Sequence, residues 1–241
     1  TILRGAILQH QDHIRLYRLF GEMGIIYFQG MHDPIKALRH FEKSIENISA
    51  YAERMGAEYR LLDGEPFQKG LREQCQKCAG INEEFDEYDV VVVLDTDKFM
   101  VKGCNKNIFE AKGIASFDDL HRKSILPKFV KDFPRVGNLD YPIWSGACYV
   151  MPRDFRQLMR KQINPAMRRV FEMISPRSYV DEGMFHVMCH KAGFKLDKYL
   201  DERWDYSSYK ASPEKAWMLH IRHKPKTRDE NYLDLVDAGI I

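Results

Sequence analysis

No stretch of this sequence approaches the ~20 consecutive apolar residues that a helix needs to cross a bilayer, so no transmembrane segment is expected within the 241 residues. An excess of charge is missing too. Thirty-seven basic against 35 acidic side chains leave +2, which gives no support to a general polyanion binder, and nucleic acid is not an expected partner. Cysteine is sparse and odd in number: Cys75, Cys78, Cys104, Cys148 and Cys189 do not make a disulfide framework. A reducing compartment is the simpler reading. That means the cytoplasm, or the host cytoplasm if the source is a virus, with a lumenal protein parted from its anchor left open. Cys75 and Cys78 form a CxxC, but no second CxxC or CxxH completes a zinc site. Two cysteines on a helix face is the preferred account. Internal repeats and low-complexity linkers are absent, and no GxGxxG follows any candidate strand, which argues against a dinucleotide-binding dehydrogenase. The chain opens on Thr1 rather than methionine, which leaves room for neighbouring domains outside it.

What is present is ordinary soluble composition, 44% hydrophobic and 30% charged, enough to bury one substantial core or two in contact. A short apolar strand is expected at Gly24–Phe28, ahead of a turn at Gly30–Pro34. Ile35, Leu38, Phe41, Ile45, Ile48, Tyr51, Ala52 and Met55 then recur at steps of three and four, the period of an amphipathic helix, with Gly56 closing it. Glu58–Leu62 reads as a second strand, Lys69–Asn82 as a charged surface helix and Tyr88–Leu94 as a third strand. This alternation predicts a parallel sheet with covering helices, whose central strand is buried on both faces and therefore continuously apolar. Further strands are expected at Trp144–Met151 and Trp217–Ile221. Helical segments are expected at Asp154–Ile174, interrupted near Pro165, and at Asp181–Ala192. One domain with two lobes is the economical reading.

The run Val90–Leu94 leads without a glycine or proline into Asp95-Thr96-Asp97. In open α/β sheets ligands gather at the carboxyl ends of strands, and two carboxylates one residue apart can reach one hard cation if the backbone turns. Oxygen ligation of this kind suits Mg2+ or Mn2+. A polar strand cap is the plain alternative, yet capping needs one small polar residue, and two close carboxylates repel unless something neutralises them. His220 ends another apolar strand. As a third ligand it would make a mixed oxygen and nitrogen shell and tilt the choice toward Mn2+; a core histidine with one hydrogen bond is the alternative. Asp181 and Glu182 precede an apolar helical stripe, where Asp181 could equally be a helix cap.

Four stretches carry a resemblance: "SIENISAYAERMGAEYRLLDGE" (Ser44–Glu65), "YDVVVVLDTD" (Tyr88–Asp97), "YPIWSGACYVMPRD" (Tyr141–Asp154), and "YVDEGMFHVMCHKAG" taken with "WMLHIRHKPK". Together they resemble glycosyltransferases of the GT-A type, in particular glycogenin-like and galactosyltransferase-like members and related bacterial or viral enzymes. The resemblance implies an α/β GT-A fold with a mixed, mostly parallel central sheet flanked by helices. It implies a single domain over 1–241, in which 1–103 mainly binds nucleotide and 104–241 mainly binds sugar and acceptor. It implies Mn2+ (or Mg2+) on Asp95, Asp97 and His220, with Thr96 between the two acids. A nucleotide-sugar donor, UDP-linked, is implied, with Tyr27 and Gln29 near base and ribose, Ser145 and Gly146 beside the sugar and Lys224 near the diphosphate. The acceptor is a glycan or glycoconjugate, and Asp181 or Glu182 serves the chemistry, Asp181 being the closer match to the family's acidic motif. Trp144 stands where asparagine is often found, and the glycine usual after the late histidine is absent. Two rivals differ in class. A nucleotidyltransferase would carry a Gly-rich basic loop after the first strand, whereas Gln29–Pro34 holds one glycine and no lysine or arginine. A non-catalytic binding or scaffolding domain should have lost carboxylates or His220.

Overall fold

The valine run sets the frame. In the computed structural model, which describes residues 34–196, 198–222 and 226–241, Val90–Leu94 forms strand β1. It pairs antiparallel with β3, Cys148–Pro152, Val92 lying opposite Val150. Side chains alternate along β3. Tyr149 and Met151 enter a core with Phe155, Met159, Phe171 and Phe185, while Cys148 and Val150 enter another with Ile48, Tyr51, Met218 and Trp204. Both faces of the pair are therefore covered, and that is why the valines need no polar alternation.

Beyond Asp97 the chain enters a second small sheet. Strand β2, Lys98–Met100, pairs antiparallel with β5, Met218–His220, and β5 pairs parallel with β4, Tyr206–Ser207, in the order β2-β5-β4. The result is a mixed α/β fold with two small sheets. The expected mostly parallel sheet is not what the described residues build: of their three strand pairings, only β4–β5 is parallel. The expected strand at Gly24–Phe28 lies outside the described residues. The one expected at Glu58–Leu62 is irregular, with Leu61 and Leu62 40% and 39% exposed. It finds no ladder partner among the described residues, and Glu58 and Arg60 bond to each other and to Tyr88 instead.

Helix α1, Pro34–Arg54, buries Phe41, Ile48, Tyr51 and Ala52 at the expected spacing. Its Ser44 hydroxyl donates to Lys98 O, and Asn47 bonds both the carbonyl and the N–H of Met100. These contacts satisfy the free edge of β2. The segment expected as a charged surface helix is instead a short helix α2, Glu73–Gln76, running into a 3-10 turn at Lys77–Ile81. It is pressed against the first sheet, where a Cβ on Gly80 would meet Met151 Cε at 2.4 Å and Val93 Cγ2 at 2.6 Å. Cys75 and Cys78 are buried free thiols there, the first pushed up to about 11 by burial, which leaves them inert packing residues.

Helices α3 (Leu126–Asp132), α4 (Arg153–Arg160), α5 (Pro165–Ile174), α6 (Val180–Ala192) and α7 (Arg228–Asp237) complete the fold. The break expected near Pro165 falls between α4 and α5, where Asn164 accepts the Met167 N–H and caps α5. None of the described helices is long and apolar enough to cross a membrane.

Candidate metal centre and adjoining acid pair

Asp95, Thr96 and Asp97 are the turn by which the chain leaves one sheet for the other. The Lys98 N–H closes it on Asp95 O at 3.2 Å, the Asp95 N–H donates to Ala147 O at 3.1 Å, and the Ile221 N–H donates to Asp97 O at 3.0 Å. Both aspartate backbones are thereby tied to neighbouring strands. His220 lies opposite Lys98 in the β2–β5 register, so its ring arrives beside Asp97. One ligand atom each from Asp95, Asp97 and His220 lies within 4.8 Å of the others.

The donor set fits a divalent cation. It offers two carboxylates and one imidazole, a mixed shell that suits Mn2+ better than Mg2+. Asp97 Oδ1 is buried with no hydrogen-bond partner among the described residues. His220 Nε2 approaches it to 3.2 Å without hydrogen-bond alignment, and buried acceptors are rarely left so. Asp97 Oδ2 pairs with Arg228 Nη2 at 2.8 Å. Burial alone would raise the Asp97 carboxyl, but His220 and Arg228 outweigh it and hold it below the ordinary range, so Asp97 is an anion at any working pH.

Lys77 links this turn to the second pair of acids. Its ammonium donates to Asp95 Oδ1 at 2.8 Å and to Gly146 O at 2.7 Å, and lies 3.3 Å from Asp181 Oδ2. Asp181 Oδ2 also accepts the Tyr149 hydroxyl at 2.9 Å, and Glu182 Oε1 accepts the Gly146 N–H at 3.3 Å. Asp181 is 1% exposed. Burial raises its carboxyl to about 6 despite Lys77, and burial together with the Asp181 charge raises Glu182 to about 8. Burial works against the Lys77 ammonium, but Asp181 and Asp95 hold it above its ordinary value. Helix capping, the plain alternative for Asp181, does not occur: Tyr179 holds the cap position and no side-chain cap bond forms. Val180, just before Asp181, has φ 31°, a strained conformation for a β-branched residue.

The other expected site residues divide. Thr96 is half-buried and, with Asp95, Lys77, Tyr51, Leu61 and the residues of β1, lines a largely apolar cavity of about 810 Å3, whose lining does not include Asp97, His220, Asp181 or Glu182. Gly146 lies between Lys77 and the two acids. The Ser145 hydroxyl donates to Asp205, not into open space. Trp144 is buried against Phe155 and Phe185, so it does not stand in for a sugar-facing asparagine. Tyr27, Gln29 and Lys224 lie outside the described residues. Sequence reasoning missed Lys77, Tyr149, Asp205 and Arg228. Lys77 had one visible signal, its place between two cysteines, a residue type that favours burial. Arg228 had none, since its reach to Asp97 depends on the start of α7, fixed by the Thr227–Glu230 capping box.

No protein-family model matches the chain, and no curated protein matches it. What stands on geometry is a mixed α/β domain with a candidate Asp95–Asp97–His220 metal centre, consistent with a metal-dependent enzyme.

Proposed function

We propose that the protein is a metal-dependent glycosyltransferase that moves a sugar from a nucleotide sugar, UDP-linked, to a hydroxyl of a glycan, glycoconjugate or protein acceptor. One observation carries the reading: two strand-end aspartates and a late histidine converge within 4.8 Å, and Lys77 joins them to a second pair of acids. The assignment to sugar transfer, and to uridine near Tyr27 and Gln29, comes from the sequence resemblance. The cavity beside Asp95 and Thr96 is of ligand size and is the place this reading gives to the donor.

Asp95, Asp97 and His220 would hold Mn2+ (or Mg2+), which when bound supplies positive charge to a diphosphate leaving group. Lys77 is engaged by Asp95 and Asp181, so its task is to hold those carboxylates in place; the resemblance gives the diphosphate charge to Lys224. Asp181 and Glu182 divide the proton work by environment. Burial raises both carboxyls above the ordinary range, and the charge of Asp181 raises Glu182 further, so the pair favours holding a proton. Asp181 is enclosed by Tyr149 and Lys77 and sets their geometry. Glu182, the less buried of the two, is the acid this reading assigns to the acceptor hydroxyl or the sugar.

The test is a screen of nucleotide sugars with Mn2+, following the anomeric configuration of the product. Transfer or slow hydrolysis of a UDP-sugar supports the reading. Tight UDP–Mn2+ binding without turnover on any acceptor would make this a non-catalytic binding module, and neither binding nor turnover would sink it.

A further inference from the structure

Asp205 lies one residue ahead of β4, 8% exposed, and its carboxylate is held from several directions. Oδ1 pairs with the Lys98 ammonium, itself 0% exposed. Oδ2 accepts from the Ser145 hydroxyl and, at 3.1 Å, from the Ser116 hydroxyl. A buried ion pair of this kind is a weak contributor to stability, because desolvation offsets most of the attraction and apolar residues of similar volume often do as well. Its presence calls for another reason. His220 supplies one: its buried Nδ1 makes no hydrogen bond among the described residues and lies 3.5 Å from Asp205 Oδ1, the nearest carboxylate it could close on, while its Nε2 lies 3.2 Å from Asp97 Oδ1.

The strand register produces this arrangement. His220 is paired with Lys98 on one side and Ser207 on the other, so β2 and β4 bring Lys98 and Asp205 to the imidazole from opposite edges of β5. A histidine that ligates through one ring nitrogen commonly donates its other N–H to a carboxylate, which fixes both tautomer and ring orientation. We propose that Asp205 is a positioning residue of the metal centre: anchored by Lys98, Ser116 and Ser145, it takes the Nδ1–H of His220 and turns Nε2 toward the cation shared with Asp95 and Asp97. This rests on the metal reading above. It gives Ser145 a supporting task behind the histidine and explains why a lysine directly after the second aspartate is buried.

Calorimetric titration with Mn2+ compares the unsubstituted chain with Asp205→Asn and with the double variant Ser116→Ala/Ser145→Ala, each checked for folding by circular dichroism. Asp205→Asn is expected to weaken Mn2+ binding about 10- to 100-fold. The double variant keeps the carboxylate but frees it to turn, and is expected to weaken binding severalfold. In the 15N-labelled chain loaded with diamagnetic Cd2+, long-range proton–nitrogen spectra should show His220 bound through Nε2 and protonated at Nδ1. Unchanged Mn2+ affinity in folded Asp205→Asn, or a His220 bound through Nδ1, overturns the proposal. If Asp205→Asn does not fold, unchanged affinity in the double serine variant overturns it instead. Absence of Mn2+ binding in the unsubstituted chain removes the metal reading as well, whereas binding there with unaltered affinity in the variants removes only the role of Asp205.

Discussion

Lys77 Nζ stands 2.8 Å from Asp95 Oδ1 and, on its other side, 3.3 Å from Asp181 Oδ2. A single enclosed ammonium thus ties a candidate metal carboxylate to the acid pair on α6. The two acids are 86 residues apart in sequence, as the numbers 95 and 181 give, and come from different elements. Any charge change at one end is felt at the other through Lys77.

Removing that ammonium should be expensive. Lys77→Met leaves two carboxylates without their shared partner and is expected to cost about 3–5 kcal/mol in denaturant unfolding. Adding Asp181→Asn should recover part of this, with a coupling of roughly 0.5–3 kcal/mol between the two sites. Strict additivity in the double-mutant cycle would show that the Lys77–Asp181 approach carries no energy.

Mn2+ should stabilise the protein by mass action, by about 2.7 kcal/mol at a hundredfold excess over its Kd, read as a rise in melting temperature. Asp97→Asn should abolish that rise. The amide is a better test than alanine, because Asp97 also partners Arg228 and His220 and alanine would strip both. Full turnover after exhaustive EDTA treatment, or an unchanged Mn2+ response in the variant, would sink the metal assignment.

Glu182 gives a pH prediction with a definite sign. Its folded carboxyl is raised from the ordinary 4.5 to about 8 by burial and by Asp181. The native state therefore binds a proton that the unfolded chain has released across that window. Stability from this group is fully present below pH ~4.5 and falls as pH rises toward 8, with a slope of at most about 1.4 kcal/mol per pH unit. Glu182→Gln mimics the protonated form and should flatten the profile between those limits. If the acid also serves the reaction, the same variant should lose turnover by about 100-fold or more while keeping UDP affinity. An unaltered stability profile would place Glu182 in water.

Much of this site was legible in the sequence because it hangs on strand ends. The valine run, its arrest at Asp95, the late strand ending at His220 and the acids opening α6 all depend on local pattern, and local pattern survives folding. Sheet connectivity was less legible. A run buried on both faces reads the same whether its neighbour is parallel or antiparallel, and β1 takes β3 as an antiparallel partner. Charge misled at Lys69–Asn82: the charged residues suggested an outer helix, but the cysteines and Gly80 decide the packing, and Lys77 is held inside by Asp95 and Asp181. Arg228 reaches Asp97 and Asp205 reaches Lys98, Ser116 and Ser145 across tens to more than 100 residues of sequence, which no periodicity encodes.

The donor base can be tested without knowing the sugar. Calorimetry in Mn2+ should show UDP binding at least about tenfold tighter than GDP, a difference of roughly 1.4 kcal/mol. Tyr27→Ala and Gln29→Ala should narrow that gap if these residues meet the base. A preference for GDP would move the donor to another nucleotide and leave the metal centre standing.

Gly146→Ala probes the junction of all these groups. A Cβ at this position would lie 2.6 Å from Asp181 Oδ2 and 3.2 Å from Asp181 Oδ1, so either backbone or carboxylate must move. The backbone is held by its N–H on Glu182 and its carbonyl on Lys77. The carboxylate is held by Tyr149 and Lys77. Neither can yield cheaply, and a cost of about 1–3 kcal/mol is expected, together with a fall in turnover greater than any change in Mn2+ affinity, since the metal ligands are not displaced directly. Gly239 is a fair control: it sits at φ +68° with nothing within 4 Å of an added Cβ and does not line the cavity, so alanine there strains only the backbone and should leave Mn2+ affinity and turnover unchanged. A Gly146→Ala protein with unaltered stability and turnover would mean that Asp181 moves freely, and the account of Asp181 as the fixed anchor of Lys77 and Tyr149 would fail.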